Sequence, residues 1–142
     1  MDFAIPIGAS AQRRILVTKE HTVAHFAPEM PEVYGTLMLV FHLEMTAVDA
    51  IRPYLPEGWV SVGIEVNVTH LAATPVGATV TTKAVVTAVG EHDVTFRWEA
   101  HDGTDLIGEG THRRAPIEVA RFMKRVAAKV PGAAEGAKAG AS

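Results

Sequence analysis

Cysteine is absent from the sequence, which excludes disulfide bonds, thiolate nucleophiles and cysteine-ligated zinc sites. A basic excess is also missing, because 13 Lys and Arg stand against 16 Asp and Glu. We therefore expect no nucleic-acid partner and no membrane partner, since these usually require clustered positive charge or a long apolar run. The N-terminus lacks the pattern of a secretory signal. Together with the missing cysteines, this favours a cytoplasmic protein.

The chain has the size and apolar content of one ordinary domain. It has 142 residues, 48% of them apolar, which is sufficient for a hydrophobic core. Residues 1–12 are expected to form a loose lead-in, and a single domain is expected over residues 1–130. Gly, Ala and Lys dominate residues 131–142, and this composition predicts a disordered tail.

A long buried helix is predicted from Thr36 to Arg52. Its sequence, TLMLVFHLEMTAVDAIR, is apolar on nearly every side, and Pro53 directly after it is a helix stop signal. A first strand is expected within residues 14–26. Four further strands follow the helix, separated by turns that contain Gly, Pro or Asp, and the chain then forms a terminal helix. These strands cover residues 61–71, 79–89, 94–100 and 106–115, and the terminal helix covers 118–130.

This order predicts an α+β protein in which a curved antiparallel sheet wraps around one long helix, with a C-terminal helix added. That arrangement is the hot-dog fold. Strict alternation places Val62, Ile64, Val66 and Val68 on one face of the second strand. Because the open edges of so small a sheet need covering, we expect a homodimer, which could pair further.

Three polar residues on these elements are candidates for chemistry. Glu44 lies among apolar helix neighbours, where a carboxylate is costly unless it is paired; the alternative is a helix turn that reaches solvent. His70 continues the inward parity of the second strand and can shuttle protons near neutral pH, although a core histidine bonded to a carbonyl fits equally well. Thr36 follows Gly35 at the helix start, where threonine is a favoured N-cap and free N–H groups can bind an oxyanion.

The helix geometry keeps Thr36 and Glu44 apart. Eight residues of α-helix rise roughly 12 Å, so the two side chains cannot meet on one straight helix. Either Thr36 folds back from the preceding loop, or it meets Glu44 of a second chain. We favour the second arrangement, because two helices packed antiparallel about a two-fold axis bring the start of one near the middle of the other. No metal is expected, since seven scattered histidines without cysteine form no zinc motif.

Several motifs resemble the fluoroacetyl-CoA-thioesterase-like branch of the hot-dog superfamily. They are PEVYGT with Glu44 eight residues beyond Thr36, RPYL, SVG, THLAATPVG around His70, AHDG and IGEGTH, and they span residues 31–115. The resemblance implies a dimeric acyl-CoA thioesterase with sites at the subunit interface. It also implies a catalytic set of Thr36, Glu44 and His70, with no metal and no bound cofactor apart from the coenzyme A of the substrate.

Met30 stands where the fluoroacetyl-specific enzyme carries an aromatic side chain, so we expect a general short or small acyl-CoA substrate. The residues expected to contact it are Gly35, Met30, Val40, Gly63, Ala72, Ala73 and Arg113. We expect Glu44 to attack the thioester directly or to activate water, His70 to transfer protons, and Thr36 to position the carbonyl or act as the nucleophile.

Three other functions compete with thioester hydrolysis. The first is a non-catalytic module that binds or senses acyl-CoA on the same fold. The second is a hydratase, which is disfavoured because no Asp and His pair follows Gly35 near the helix start. The third is a structural domain in which a buried contact between Glu44 and His70 maintains the core.

Overall fold

The protein forms a five-stranded antiparallel sheet curved around one long helix, in a computed structural model that describes residues 1–132. The strands are β1 (Ser10–Leu16), β2 (Trp59–His70), β3 (Thr79–Val89), β4 (Val94–His101) and β5 (Leu106–Glu118). The helices are α1 (Val23–Phe26), α2 (Thr36–Ile51) and α3 (Val119–Ala127). The strands lie in the order β1-β3-β4-β5-β2, so β1 and β2 are the sheet edges. The predicted hot-dog fold, including its terminal helix, is confirmed.

Helix α2 packs on the inner face of the sheet through one apolar stripe. Leu39, Leu43, Ala47 and Ile51 recur every four residues and are completely buried. They meet core residues of β3 and β4, among them Val80, Ala84, Phe96 and Trp98. The packing of this stripe fixes the position and rotation of the helix. It thereby also fixes where the polar side chains at the start and on the sides of the helix lie.

The opposite side of α2 is open in the single chain. Leu37 is 63% exposed and Phe41 is 48% exposed. The sequence predicted a helix buried on every side, and this prediction is wrong for the single chain. The neighbouring edge strand β2 also exposes apolar side chains, at Val60, Ile64 and Val66. An open apolar helix face beside an open apolar sheet edge is the kind of surface that another chain covers.

A β-bulge in β2 overturns the predicted alternation. The pairing of β2 with β5 shifts between Gly63 and Glu65, so Ile64 is left without a partner. Directly opposed residues share a face, and the extra residue therefore changes the parity along the strand. Val62 and Ile64 consequently do not share the face of Val66 and Val68. The inward orientation predicted for His70 survives, because His70 lies beyond the bulge.

Two further predictions about the chain ends are wrong. Residues 1–12 are not all a lead-in, because β1 starts at Ser10 and ends at Leu16, before a 3-10 turn and α1. The apolar residues of α3 do not all point inward, since Val119, Met123 and Val126 are exposed. Residues 131 and 132 form a turn, and the rest of the predicted tail, 133–142, lies outside the described residues. Over residues 1–132, no helix combines the length and hydropathy needed to cross a bilayer.

Gly110 allows β5 to lie unusually close to β2. A Cβ atom at this position would overlap the Asn67 carbonyl oxygen, which accepts a hydrogen bond from the Trp98 indole N–H at 3.0 Å. We expect Gly110→Ala to lower the free energy of unfolding by about 3 kcal/mol, because the added methyl must push two paired strands apart. Urea unfolding followed by circular dichroism measures this change.

The matched control is Gly35→Ala, where an added Cβ meets its nearest neighbour at an ordinary 3.5 Å. That change should cost at most about 1 kcal/mol, the preference for glycine over alanine at an N-cap. Equal stability of the two variants would contradict the close approach of β2 and β5.

Candidate active site

The first residue of α2 and the last residue of β2 meet through a side-chain hydrogen bond. Thr36 Oγ1 lies 2.7 Å from His70 Nδ1. The N-cap of α2 is Gly35 in an extended conformation, and no side chain caps the helix. The alternative interpretation of Thr36 as the N-cap is therefore wrong by one position. Since the Thr36 hydroxyl is not needed for capping, it is free to pair with the imidazole.

The environment of His70 favours a neutral ring. Its Nε2 is buried and has no hydrogen-bond partner among residues 1–132. Burial lowers the pKa of His70, while the backbone of Ala72 acts in the opposite direction. When the ring proton is on Nε2, Nδ1 accepts the hydrogen bond from the Thr36 hydroxyl. In this state His70 can take a proton from Thr36, which is the arrangement of a nucleophile beside its general base.

The Thr36–His70 pair opens into a surface pocket of about 360 Å³. The pocket is also lined by Val23, Val33, Tyr34, Leu71, Ala72 and Ala73. The Gly35 N–H donates to the His21 carbonyl oxygen and is therefore not available as an oxyanion donor. The N–H groups of the first turn of α2 have no partner within the helix, and the positive end of the helix dipole lies at the same place.

Glu44 belongs to a second polar cluster further along α2. Its Oε2 accepts a hydrogen bond from Arg114 Nη1 at 2.8 Å, and Arg114 also donates to the side chain and carbonyl of Ser61. The Arg114 side chain is 5% exposed and that of Glu44 is 29% exposed, so the carboxylate can still be reached from outside. A Cβ at Gly63 would lie 2.6 Å from Oε2, and glycine therefore makes room for the carboxylate.

The buried His112 side chain contacts the guanidinium of Arg114. Its Nδ1 lies 2.7 Å from the Glu65 carbonyl oxygen, which only accepts, so Nδ1 carries the ring proton. Nε2 is then an acceptor and faces Arg114 Nη1 at 3.2 Å. The ring stacks on Trp98 with 4.1 Å between centroids. Burial lowers the pKa of His112 to about 4, and Arg114 acts in the same direction, because a charged imidazole would repel the guanidinium.

The two clusters are separate within one chain. On β5, Arg114 lies opposite Gly63 and Gly108 lies opposite His70, so the backbone positions of Arg114 and His70 are roughly 20 Å apart along the sheet. Glu44 therefore does not contact Thr36 or His70 of its own chain. This contradicts the structural alternative in which a Glu44–His70 contact maintains the core of a single chain.

The remaining predicted substrate contacts are distributed unevenly. Ala72 and Ala73 line the pocket, whereas Met30 and Val40 are not among its lining residues. Arg113 points to the outer face, where it is bonded to Glu65 and Asp93.

Sequence reasoning noted the basic run at 112–114 as a possible contact for a CoA phosphate, but it did not assign His112 or Arg114 to the site. Strand alternation could have identified them, because His112 and Arg114 lie on one face of the strand and Arg113 lies on the other. Across residues 1–132, no group of three or more His, Asp or Glu side chains is placed to hold a metal ion.

Comparison with known proteins identifies the family of this chain. A family model described as fluoroacetyl-CoA-specific thioesterase matches residues 17–120. The chain belongs to this family. A curated fluoroacetyl-CoA thioesterase from Streptantibioticus cattleyicolor is 40% identical over 131 residues, which cover 88% of this chain and 94% of the relative. The resemblance noted from the motifs and the prediction of a thioester hydrolase are both confirmed.

Solved structures of family members share the fold closely. A structure of the fluoroacetyl-CoA thioesterase has a TM-score of 0.84 and 39% identity, covering 90% of this chain and 99% of its own. Variants of that enzyme have been solved with fluoroacetate and CoA, and with acetyl-CoA. A Thermus thermophilus thioesterase-superfamily protein has a TM-score of 0.79 and 31% identity, covering 89% of this chain and 96% of its own.

The buried histidines make stability depend on pH. Burial lowers the pKa of His42 and of His112 to about 4, from an ordinary value of 6.5. Between these values the unfolded chain binds more protons than the folded chain, so stability is full above pH 6.5 and falls as the pH falls towards 4. Each histidine contributes a slope of at most about 1.4 kcal/mol per pH unit. Urea midpoints measured from pH 8 to pH 4.5 should show this decline.

A pair of variants tests the origin of the decline. His112→Gln should reduce the slope between pH 6.5 and 4.5, because it removes one buried titrating group. The exposed His92→Gln is the matched control and should leave the slope unchanged. A wild-type midpoint that stays constant over this range would show that the buried rings titrate normally.

Proposed function

We propose that this thioesterase hydrolyses a short or small acyl-CoA thioester to the free acid and coenzyme A. The observation that carries the proposal is the 2.7 Å contact between Thr36 and His70 at an open pocket. The small side chains of Ala72 and Ala73 on the pocket wall suit a small acyl group. The relative solved with fluoroacetate and CoA, or with acetyl-CoA, supports the same substrate class.

In the proposed reaction, the thioester carbonyl lies at the start of α2. N–H groups of the first helical turn stabilise the oxyanion that forms on attack, aided by the helix dipole. His70 accepts a proton from Thr36 as its oxygen attacks the carbonyl, or from an attacking water molecule, and later returns the proton to the departing thiolate. If Thr36 attacks, the acyl group is left as an ester on its oxygen, and water deprotonated by His70 then hydrolyses this ester to the free acid. The lowered pKa of His70 keeps the ring neutral at pH 7, which is the state that accepts a proton.

Glu44 completes the site from a second copy of the chain in this proposal. Leu37 and Phe41 of α2 are exposed, as are apolar side chains of the edge strand β2, and a homodimer would cover both sets. A two-fold axis between antiparallel copies of α2 brings Glu44 of one copy towards Thr36 and His70 of the other. Arg114 engages Oε2 of the carboxylate, while Oε1 has no hydrogen bond within residues 1–132 and remains available to substrate or water.

Single substitutions test the three assigned residues. Thr36→Ala, Glu44→Gln and His70→Ala should each lower kcat by about 10² to 10⁴, the usual contribution of proton-transfer groups. A thiol-release assay with a panel of acyl-CoA esters measures the rates, and Asn67→Ala on the outer face of the sheet is the control. Near-wild-type turnover by Glu44→Gln and His70→Ala would refute the assignment. Binding without turnover of any ester would identify a sensing module instead.

Mixed dimers test whether the site is shared between two chains. Dimers of Thr36→Ala with Glu44→Gln contain one complete site if Glu44 acts across the interface, so random mixing should restore about a quarter of wild-type activity. Dimers of Thr36→Ala with His70→Ala contain none, because these two residues act from the same chain. Equal failure of both mixtures would contradict a shared site.

A further inference from the structure

A buried polar cluster behind the pocket has no role in the proposed chemistry. Tyr34 is 1% exposed and His42 is 7% exposed. The Tyr34 hydroxyl lies 2.5 Å from His42 Nδ1 and 3.3 Å from the Met38 carbonyl oxygen. The edge of the His21 ring packs against His42, with 5.2 Å between centroids. The Tyr34 side chain therefore spans the first two turns of α2 from a position just before the helix.

The backbone around Tyr34 joins this cluster to both sides of the pocket. The Tyr34 N–H donates to the Thr74 carbonyl oxygen at 2.8 Å, four residues after His70. The next residue, Gly35, donates to the His21 carbonyl oxygen at 2.9 Å. The segment that leads into Thr36 is thus held between the strand end that carries His70 and the turn that carries His21.

Phenol and imidazole groups are costly to bury without a hydrogen-bond partner. The Tyr34 hydroxyl is the only hydrogen-bond partner of His42 Nδ1 within residues 1–132, so a rotation of either side chain would leave this buried ring nitrogen unpaired. Burial raises the pKa of Tyr34 and lowers the pKa of His42 to about 4, so both groups are neutral over the working range of most enzymes. The hydrogen bond therefore acts as a neutral, permanent tie across the start of α2.

We propose that the Tyr34–His42 hydrogen bond is a positioning device that holds Thr36 Oγ1 within reach of His70 Nδ1. The proposal rests on the proposed function, since it assigns these residues to the same site. Thr36 is exposed, and its side chain makes no hydrogen bond within residues 1–132 except to His70. Its position consequently depends on the backbone that precedes it, and Tyr34 is the buried anchor of that backbone.

The kinetic test removes one oxygen atom. Tyr34→Phe keeps the ring but loses the tie, and we expect kcat to fall about tenfold with KM nearly unchanged, because small misplacements of a reacting group slow the chemical step. His42→Leu breaks the same bond from the other side and should give the same pattern. Thr82→Val is the matched control, since it removes a buried hydroxyl bonded to Thr46 of the same helix at 2.6 Å. It should lower the melting temperature without changing kcat.

A double-mutant cycle separates positioning from general destabilisation. In a Thr36→Ala background, Tyr34→Phe should cause no further loss of kcat, because the residue it positions is gone. An equal loss in both backgrounds, or wild-type kcat in Tyr34→Phe, would overturn the proposal.

Ring-nitrogen NMR of His70 keeps the test independent of turnover. Tyr34→Phe should shift the Nδ1 signal in the same direction as Thr36→Val, which removes the hydrogen-bond partner itself. An unchanged Nδ1 signal in Tyr34→Phe would overturn the positioning role. If the wild-type chain hydrolyses no acyl-CoA ester, the proposed function fails, while the NMR comparison still decides whether Tyr34 holds Thr36 against His70.

Discussion

The packing of one face of α2 against the sheet is the constraint on which the rest of this structure depends. A stripe of Leu39, Leu43, Ala47 and Ile51 leaves no freedom in the rotation of the helix. That rotation places Thr36 beside the end of β2 and turns Glu44 towards Arg114 on β5. It also leaves Leu37 and Phe41 uncovered. The packing of α2 on the sheet therefore positions the Thr36–His70 pair and the Glu44–Arg114 pair. It also determines which apolar face of the helix is open to a second chain.

The polar groups near the core fall into neutral and charged sets. Tyr34 and His42 form a fully buried neutral pair, which a protein interior tolerates when every group is bonded. Glu44 and Arg114 form an ion pair in which the Glu44 side chain remains partly exposed to solvent. Burying charges completely costs more than their attraction returns, whereas a carboxylate at the boundary keeps part of its hydration. The charged group that can reach a substrate is therefore the one at the boundary.

Much of the fold could be predicted from local patterns. The apolar run from Thr36 and the proline after it predicted the start of α2 correctly and its end to within one residue, and β3 was correct at both ends. The alternation argument failed in β2, because a bulge at Ile64 depends on pairing with β5 and has no local signal. The same dependence explains the choice of Arg113 over Arg114. The two residues are chemically identical and adjacent, and only the strand register decides which of them faces the helix.

By itself, the sequence determined the fold class and the family, because these depend on periodicity and on short motifs, and it supplied the three residues of the proposed site. The tertiary structure alone decided that Thr36 pairs with His70 in one chain while Glu44 pairs with Arg114 elsewhere. It also revealed the Tyr34–His42 tie and the support that His112 gives Arg114. These contacts join residues that are far apart in sequence or separated by turns of the helix. Their partners are set by sheet register and helix rotation, which local patterns do not encode.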